Sequence, residues 1–313
     1  AIALAASVVG TLGFVVANQT WTLAATRGLA GVGLGLYGVA GRKAIIGLDT
    51  DGAGAKLGSF LSTGVAGFLV GPPVGALLGR FSFEMPFLVV GVAIALVGVP
   101  TLRVISRSEV ATAPVDYGDI GELIRRPRVQ AALLSQVALF GFIGVFDSTV
   151  DRYFTDLGAS TAATATALFV IGFPLLVLPS IAGSLAERIG GVRVLFPAFA
   201  AIVPAILLFG WLESVPLLAL AGVVETTGES FAFLAVAMIV FEVTGASRVA
   251  VGHALLEAAG LLSATVTAGL GPFVYGLAGP GVLFTGFAAT SAALIGLAWL
   301  RLRVAPPLEA VVS

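Results

Sequence analysis

Residues 129–150 read VQAALLSQVALFGFIGVFDSTV, with Asp147 as the one ionisable side chain of the run. A helix needs about 20 mostly apolar residues to cross the hydrocarbon core of a bilayer, and this run is long enough. Residues 217–224, LLALAGVV, are also apolar on every helical face. A membrane-spanning β-strand would instead be about 10 residues long and would alternate apolar with polar side chains. The pattern therefore predicts membrane-spanning helices.

The composition of the whole chain favours the same class of protein. Of the 313 residues, 58% are hydrophobic and 11% are charged, whereas about 25% are charged in soluble domains. The net charge of -1 and the scattered basic residues indicate no nucleic-acid partner. With no cysteine and one histidine, we expect no metal site and no cofactor. No nucleophile motif is visible, so we expect a membrane protein that is not an enzyme.

Ten stretches of the chain have the length and the apolar character of a membrane span. Short clusters of charge, Gly, Pro or Asn separate them. Together they take about two-thirds of the chain, so we expect an all-α polytopic protein with no sizeable soluble domain. The stretches are 1–17, 21–41, 57–79, 85–102, 129–150, 161–182, 194–212, 215–241, 249–275 and 281–300.

The positive charges indicate the orientation in the membrane. Counted across these spans, Arg80 and Arg152 fall on one side, and Arg27 lies inside a span. Cytoplasmic loops carry the excess of Lys and Arg, so we expect both chain ends in the cytoplasm of a multi-pass plasma-membrane protein. The remaining basic residues all fall on the other side: Arg42, Lys43, Lys56, Arg103, Arg107, Arg125, Arg126, Arg128, Arg188, Arg193, Arg248, Arg301 and Arg303.

The longest polar stretch divides the chain into four spans before it and six after it. In this stretch Asp119 could cap a short helix through Glu122 and Arg126 on the membrane surface; the alternative is a solvated linker. If the two halves are equal, two further helices are expected before Ala1. We expect a remainder of an N-terminal bundle at 1–104, a central cytoplasmic loop at 105–128, a C-terminal six-helix bundle at 129–303 and a cytoplasmic tail at 304–313.

The two halves share a pattern of one charge followed by Gly-Pro in the next span. Arg27 precedes Pro72 by 45 residues, and Glu225 precedes Pro272 by 47 residues. Internal structural repeats of this kind are typical of secondary transporters.

Three motifs in this order resemble the major facilitator superfamily, in particular its twelve-helix drug:proton antiporter branch. RGLAGVGLG at 27–35 looks like the fourth-helix motif, and GFLVGPPVGALLG at 67–79 is similar to the fifth-helix antiporter motif. GSLAERIGGVR at 183–193 looks like the second-half copy of the cytoplasmic-loop signature. The resemblance covers the chain as helices three to twelve. It implies two pseudo-symmetric helical bundles around a central cavity, and a monomer.

The loop signature departs from the family pattern at two positions. Glu187 stands where Asp is usual, and Gly191 stands where a basic residue is usual. The charge network of this loop is therefore expected to be thinner than in the family. The residues that match the signature, and that we expect to act in the conformational change, are Gly183, Glu187, Arg188, Gly190 and Arg193.

Glycines at four-residue spacing form one smooth stripe along the third span. This stripe would let a neighbouring backbone approach closely and slide, while Pro72 removes a backbone hydrogen bond and bends the helix. We expect a bendable contact; the alternative is static close packing, since GxxxG patterns are frequent in helical bundles. The stripe consists of Gly67, Gly71, Gly75 and Gly79.

Six ionisable residues in the spans are candidates for proton coupling or for lining the substrate cavity. Arg27 lies about two turns from the outer end of its span, where it would face the cavity or snorkel to the interface. Glu225 and Glu229 share a helix face near the midplane, where hydrocarbon disfavours the charged form and suits a group that binds and releases a proton. The alternative is a structural role through pairing with Arg27, Thr226 or Thr227.

The remaining candidates are Asp147, His253 and Glu257. Asp147 is a weaker candidate than the glutamates because it lies closer to the outer end of its span. His253 is a proton relay or an interfacial side chain about one turn from the cytoplasmic side, and Glu257 lies one turn deeper.

From the residues and the resemblance we expect proton-coupled efflux of small amphipathic solutes, with the bilayer, a solute and protons as partners. A sugar or metabolite facilitator or symporter, and a non-transporting membrane receptor or scaffold, are the alternatives.

Overall fold

The computed structural model describes residues 1–48, 53–105 and 120–305, and every regular element within these ranges is an α-helix. The all-helical fold class is thereby confirmed. The helices are α1 (Ile2–Val16), α2 (Thr20–Leu48), α3 (Ala53–Gly79), α4 (Met85–Ile105), α5 (Ile120–Arg125), α6 (Pro127–Asp156), α7 (Thr161–Val177), α8 (Pro179–Ile189), α9 (Gly191–Phe209) and α10 (Val215–Arg303).

Helix α10 folds back on itself. Its 89 residues would extend about 130 Å as a straight helix, several times the thickness of a bilayer core. Gly252 instead faces the side chains of Val240 and Thr244, and a positive φ of 77° marks a turn at Gly279. We name the stretch Val215–Thr244 α10a and the stretch Arg248–Arg303 α10b.

Several of the helices have the length that a membrane span requires. Helices α7 and α8 form a pair bent by 41°, and α1 is a shorter apolar helix. The 56 residues of α10b are enough for two spans, one on each side of Gly279. Each of the ten predicted stretches overlaps at least one of the observed helices. Within the residues that the structure describes, six helical stretches are apolar and long enough to cross a membrane: Thr20–Arg42, Met85–Arg103, Pro127–Asp156, Gly191–Phe209, Val215–Thr244 and Arg248–Arg303.

The chain forms two compact units. The first comprises residues 1–50 and 66–115, and the second comprises residues 51–65 and 116–313. Residues 51–65 join the second unit because Gly58 lies directly against the backbone of Pro179. The predicted domain boundaries stay a prediction, and their segments 106–119 and 306–313 lie outside the described residues.

In the first unit, α1 packs against α2 and α4. Close approach at Gly10, which faces the backbone of Ala30, brings α1 against α2. Phe14 contacts Phe87, with ring centroids 4.3 Å apart, and joins α1 to α4. Most other side chains on these helices are exposed.

The second unit has a dense core. Glycines on α6 let it approach α10b closely: Gly144 lies against the backbone of Ala264 and the hydroxyl of Thr267. The Tyr153 hydroxyl lies 2.9 Å from the carbonyl oxygen of Phe209 and 2.8 Å from that of Leu212, and donates to them. The largest fully buried side chains of the second unit include Phe154, Phe209, Phe284, Leu195, Ile202, Ile206 and Ile239.

The short helix expected before the second bundle is present as α5. Its Leu123 is buried, and Glu122 forms an ion pair with Arg126 at 2.9 Å. Arg126 also donates to the carbonyl oxygen of Val243 at 3.4 Å, so this segment contacts the end of α10a. Asp119, the expected cap, lies outside the described residues.

Candidate functional site

Helix α10a carries a buried polar face inside the second unit. The side chains of Glu225 and Glu229 are 3% and 6% exposed, and the neighbouring Thr226 and Ser230 are buried as well. The spacing of four residues places both carboxyl groups on the same side of the helix. The structure therefore brings the two predicted glutamates together in the interior of the unit.

Two glycines explain why this face lies so close to other helices. A Cβ on Gly222 would lie 2.6 Å from a side-chain carbon of Ile171 on α7. A Cβ on Gly228 would lie 2.8 Å from the carbonyl oxygen of Ala198 on α9. Helices α7 and α9 thus pack directly on α10a at the level of the glutamates, and the small residues make this contact possible.

The hydroxyl groups beside the glutamates are engaged with the backbone. Thr226 donates to the carbonyl oxygen of Ile171 at 2.6 Å, and so ties α10a to α7. Thr227 donates to Val223 at 2.7 Å, and Ser230 donates to Thr226 at 2.8 Å. Because each hydroxyl has a single proton, these groups do not donate it to the carboxylates.

In the described part of the chain, no hydrogen bond or ion pair reaches the carboxyl group of Glu225 or Glu229. The two groups repel each other when both are charged. A buried charge without a partner costs several kcal/mol. The site can therefore hold a proton or a cation, either of which lowers this cost.

Asp147 lies on α6, and its side chain is exposed. Its charge acts on Glu229, and the ring contact between Phe140 and Phe233, at 5.5 Å, joins the same two helices. Asp147 makes no hydrogen bond to a described residue. The structure thus adds Asp147 to the electrostatic surroundings of the buried glutamates.

The other ionisable candidates lie elsewhere. Arg27 is exposed on α2 in the first unit, and has no hydrogen-bond or ion-pair partner among the residues that the structure describes. His253, on α10b, is 2% exposed. Glu257, one turn further along α10b, is half-buried. Across the described ranges, no three His, Asp or Glu side chains are arranged to hold a metal ion.

The glycine stripe of α3 has open space beside it. A Cβ added at Gly67, Gly71, Gly75 or Gly79 would meet no heavy atom within 4 Å among the described residues. Pro72 lies on the same helix. The close and sliding contact of this stripe stays a prediction.

The loop signature forms the junction between α8 and α9. Gly190 ends α8 with a positive φ of 89°, which glycine adopts readily. A Cβ on the buried Gly191 would lie 2.5 Å from the carbonyl oxygen of Ala235 on α10a, so no side chain fits there. At the position where the resembled loop signature has a basic residue, this chain thus has room for glycine alone. Gly183 is buried in α8, whereas Glu187, Arg188 and Arg193 are exposed.

Sequence reasoning missed several residues that join distant parts of the second unit. Glu242 accepts a hydrogen bond from the backbone N–H of Gly191 at 3.3 Å and so caps α9. Tyr275 donates to Asp156 at 2.8 Å, and Arg152 lies over the Tyr275 ring at 5.1 Å. These partners are 51 and 119 residues apart, and no local sequence signal indicates them.

Comparison with known proteins identifies the architecture. No family model and no curated protein matches the sequence. The fold is similar to the crystal structure of the human organic anion transporter MFSD10 (TETRAN), with a TM-score of 0.73 and 17% sequence identity. The match covers 95% of this chain and 75% of that chain. The chain therefore shares its fold with this transporter.

Proposed function

We propose that the protein is a secondary active transporter that couples protons to the efflux of small amphipathic solutes by alternating access. Its all-helical fold, similar to that of a human transporter, supports the transport class. The resemblance of its motifs to the antiporter branch supports coupling to protons. The bilayer, a solute and protons are the partners that this function requires.

The observation that carries the proposal is the pair of buried carboxyl groups at Glu225 and Glu229. Neither has a hydrogen-bonding or cationic partner in the described part of the chain. Ionisable groups kept inside a membrane protein are expensive, and they mark proton or ion pathways. One proton taken up by the pair removes one of the two buried negative charges and, with it, the mutual repulsion. The site then has two states that differ by one proton, as a proton-coupled carrier needs.

Asp147 gives this pair an ionisable neighbour on α6. It is exposed on α6 and its charge acts on Glu229. Within the proposal, Asp147 exchanges protons with water, and its charge state changes the cost of a charge on Glu229. The conformational change itself is assigned to the glycine stripe of α3 and to the loop signature between α8 and α9.

The test is a flux assay with the full-length protein in proteoliposomes that contain a pH-sensitive dye. The panel of solutes includes cationic dyes, sugars and, because the human protein is named for organic anions, anionic dyes. We expect an imposed pH gradient to accelerate the flux of at least one amphipathic solute. A gradient of that solute should in turn move protons in the opposite direction.

Variants locate the coupling. Glu225→Gln and Glu229→Gln keep the shape of the side chain but cannot ionise, so they should abolish the solute-driven pH change. Glu213→Gln is the matched control, because Glu213 is an exposed acid just before α10. Flux that is indifferent to pH would indicate a facilitator, and protons moving with the solute would indicate a symporter. No flux of any solute would favour a receptor or scaffold.

A further inference from the structure

The second unit has a groove at the ends of two of its helices. The groove has a volume of about 390 Å³ and lies between the first turns of α9 and the last turn of α10b. Both sets of residues lie at a helix end, so the groove is at the level where the spans leave the membrane. Its lining residues are Val192, Arg193 and Phe196 from α9, and Trp299, Leu302 and Arg303 from α10b.

Two arginines supply positive charge to this groove. Arg193 and Arg303 are both exposed, and neither forms an ion pair with a carboxylate of the described residues. Arg193 makes one long hydrogen bond, 3.4 Å to the carbonyl oxygen of Ile189. Each guanidinium has five N–H donors, so most donors in the groove are left for another molecule.

The rest of the groove is apolar and aromatic. The guanidinium of Arg303 lies over the Trp299 ring, 3.5 Å from its centroid, which holds the charge against an apolar surface. Phe196 and Leu302 are half-buried beside it. Towards the membrane interior, Leu297 and Leu300 are 50% and 53% exposed. The groove is therefore lined by two cationic and four apolar side chains.

We propose that this groove binds one anionic phospholipid. The phosphate group contacts Arg193 and Arg303, and an acyl chain lies along Phe196 and Trp299. Charge complementarity selects an anionic headgroup, and arginine suits phosphate because its donors can bind two oxygens at once. A free phosphate ion would leave the apolar lining uncovered, so the ligand is a lipid. The orientation predicted from the positive charges places it in the cytoplasmic leaflet.

Trp299 makes the site observable. The chain has three tryptophans, and the variant W21F/W211F keeps Trp299 alone. This full chain is reconstituted in phosphatidylcholine bilayers that contain either brominated phosphatidylglycerol or brominated phosphatidylcholine, and quenching of Trp299 fluorescence is measured. We expect the anionic lipid to bind about fivefold more tightly than phosphatidylcholine, or more, because basic side chains attract anionic lipid.

The double variant R193Q/R303Q should lower the ratio of anionic-lipid affinity to phosphatidylcholine affinity to about one. The variant R193K/R303K should keep part of this preference. The matched control is R125Q/R301Q, which removes two exposed arginines from the same predicted side without touching the groove. It should keep the preference. Equal quenching by the two lipids in the W21F/W211F chain, or equal losses in the R193Q/R303Q and R125Q/R301Q variants, would overturn the proposal.

If R193Q/R303Q does not reconstitute, a salt titration of the W21F/W211F chain decides the question. Raising the salt concentration should reduce the anionic preference towards one, because screening weakens the contact of exposed charges with phosphate. A preference that does not change with salt would contradict the arginine contacts. Since lipid binding is measured without a solute, this result is independent of whether the protein transports.

Discussion

The two units of the chain contain helices of similar character but differ in how far those helices are buried. In the first unit, 6% of the apolar window of Thr20–Arg42 is buried inside the protein, and the value for Met85–Arg103 is the same. In the second unit the values are 61% for Pro127–Asp156 and 67% for Val215–Thr244. Apolar character therefore does not decide burial.

This difference has a physical reason. Lipid chains are as apolar as leucine, so the hydrophobic effect does not distinguish a lipid-facing side from a protein-facing side. Close packing at small residues and hydrogen bonds between helices decide which sides meet. In the second unit, Gly144, Gly222 and Gly228 each lie against another helix. In the first unit, Gly10 also lies against another helix, at the backbone of Ala30, whereas Gly67 on α3 has open space beside it.

The largest expected difference between the units comes from removing a core aromatic ring. Phe209 is fully buried, and its ring lies 5.6 Å from those of Phe146 and Phe284. Phe209→Ala should lower the free energy of unfolding by about 3–5 kcal/mol because it leaves a cavity. Phe83→Ala in the first unit should cost much less, since Phe83 is 68% exposed. Thermal unfolding of both variants in detergent measures the difference. Similar losses would mean that the two units are equally packed.

Adding one methyl group at a glycine should lower the free energy of unfolding in the second unit but leave it unchanged or raise it in the first. Gly144→Ala places a Cβ against the backbone of Ala264, and such overpacking costs about 1–3 kcal/mol. Gly67→Ala meets open space, so it should be neutral or stabilising by up to about 1 kcal/mol because alanine favours helix. The midpoint of thermal unfolding tests both. A destabilised but transport-competent Gly67→Ala variant would support static close packing of the stripe instead of a sliding contact.

Removing a hydrogen-bonded hydroxyl should also destabilise the second unit more than the first, but by a smaller amount. Tyr153→Phe removes a buried hydroxyl that donates to the carbonyl oxygens of Phe209 and Leu212, at a cost of about 1 kcal/mol. Thr101→Val removes a hydroxyl bonded to Val97 within its own exposed helix turn, and should change stability by less than about 0.5 kcal/mol. Unfolding midpoints of the two variants provide the measurement. A larger loss of stability for Thr101→Val than for Tyr153→Phe would contradict the expected difference between the units.

The smallest effect concerns a surface carboxyl group of the first unit. Glu84, just before α4, has a pKa below its ordinary value of 4.5 because the Ser82 hydroxyl and the backbone N–H of Glu84 donate to it. Its contribution to stability is therefore present above pH 4.5 and is lost as the pH falls through the lowered pKa. Carboxyl NMR should detect a titration midpoint below 4.5 that rises in Ser82→Ala. An unchanged midpoint would contradict the hydrogen bond from Ser82.

Much of the fold could be predicted because hydropathy acts along the chain. The ten stretches, the short helix near Glu122 and the turn at Gly190 all have local signals: apolar length, a charge pair at four-residue spacing and a glycine after a helix. The contact of Gly58 with Pro179 had no such signal, and neither did the grouping of residues 51–65 with the second unit. Both depend on partners far apart in sequence.

The candidate site, too, was predictable from the sequence only in part. Spacing predicted that Glu225 and Glu229 share a helix face, and the structure places that face in the interior of the second unit. Spacing alone could not predict that Thr226 donates to α7 instead of to a carboxylate. Nor could it predict that the charge of Asp147 acts on Glu229. These relations depend on how α6, α7 and α10a pack side by side.

The sequence by itself determined that the chain is all-helical, where its apolar stretches of membrane-spanning length lie and which few charges these stretches contain, because each of these follows from the cost of polar groups in hydrocarbon. Only the tertiary structure decided which spans are buried, why Gly191 has no room for a side chain and which carboxyl groups have no partner among the described residues. Those outcomes depend on contacts between helices, and in a medium as apolar as the helices themselves, shape and hydrogen bonding select the contacts.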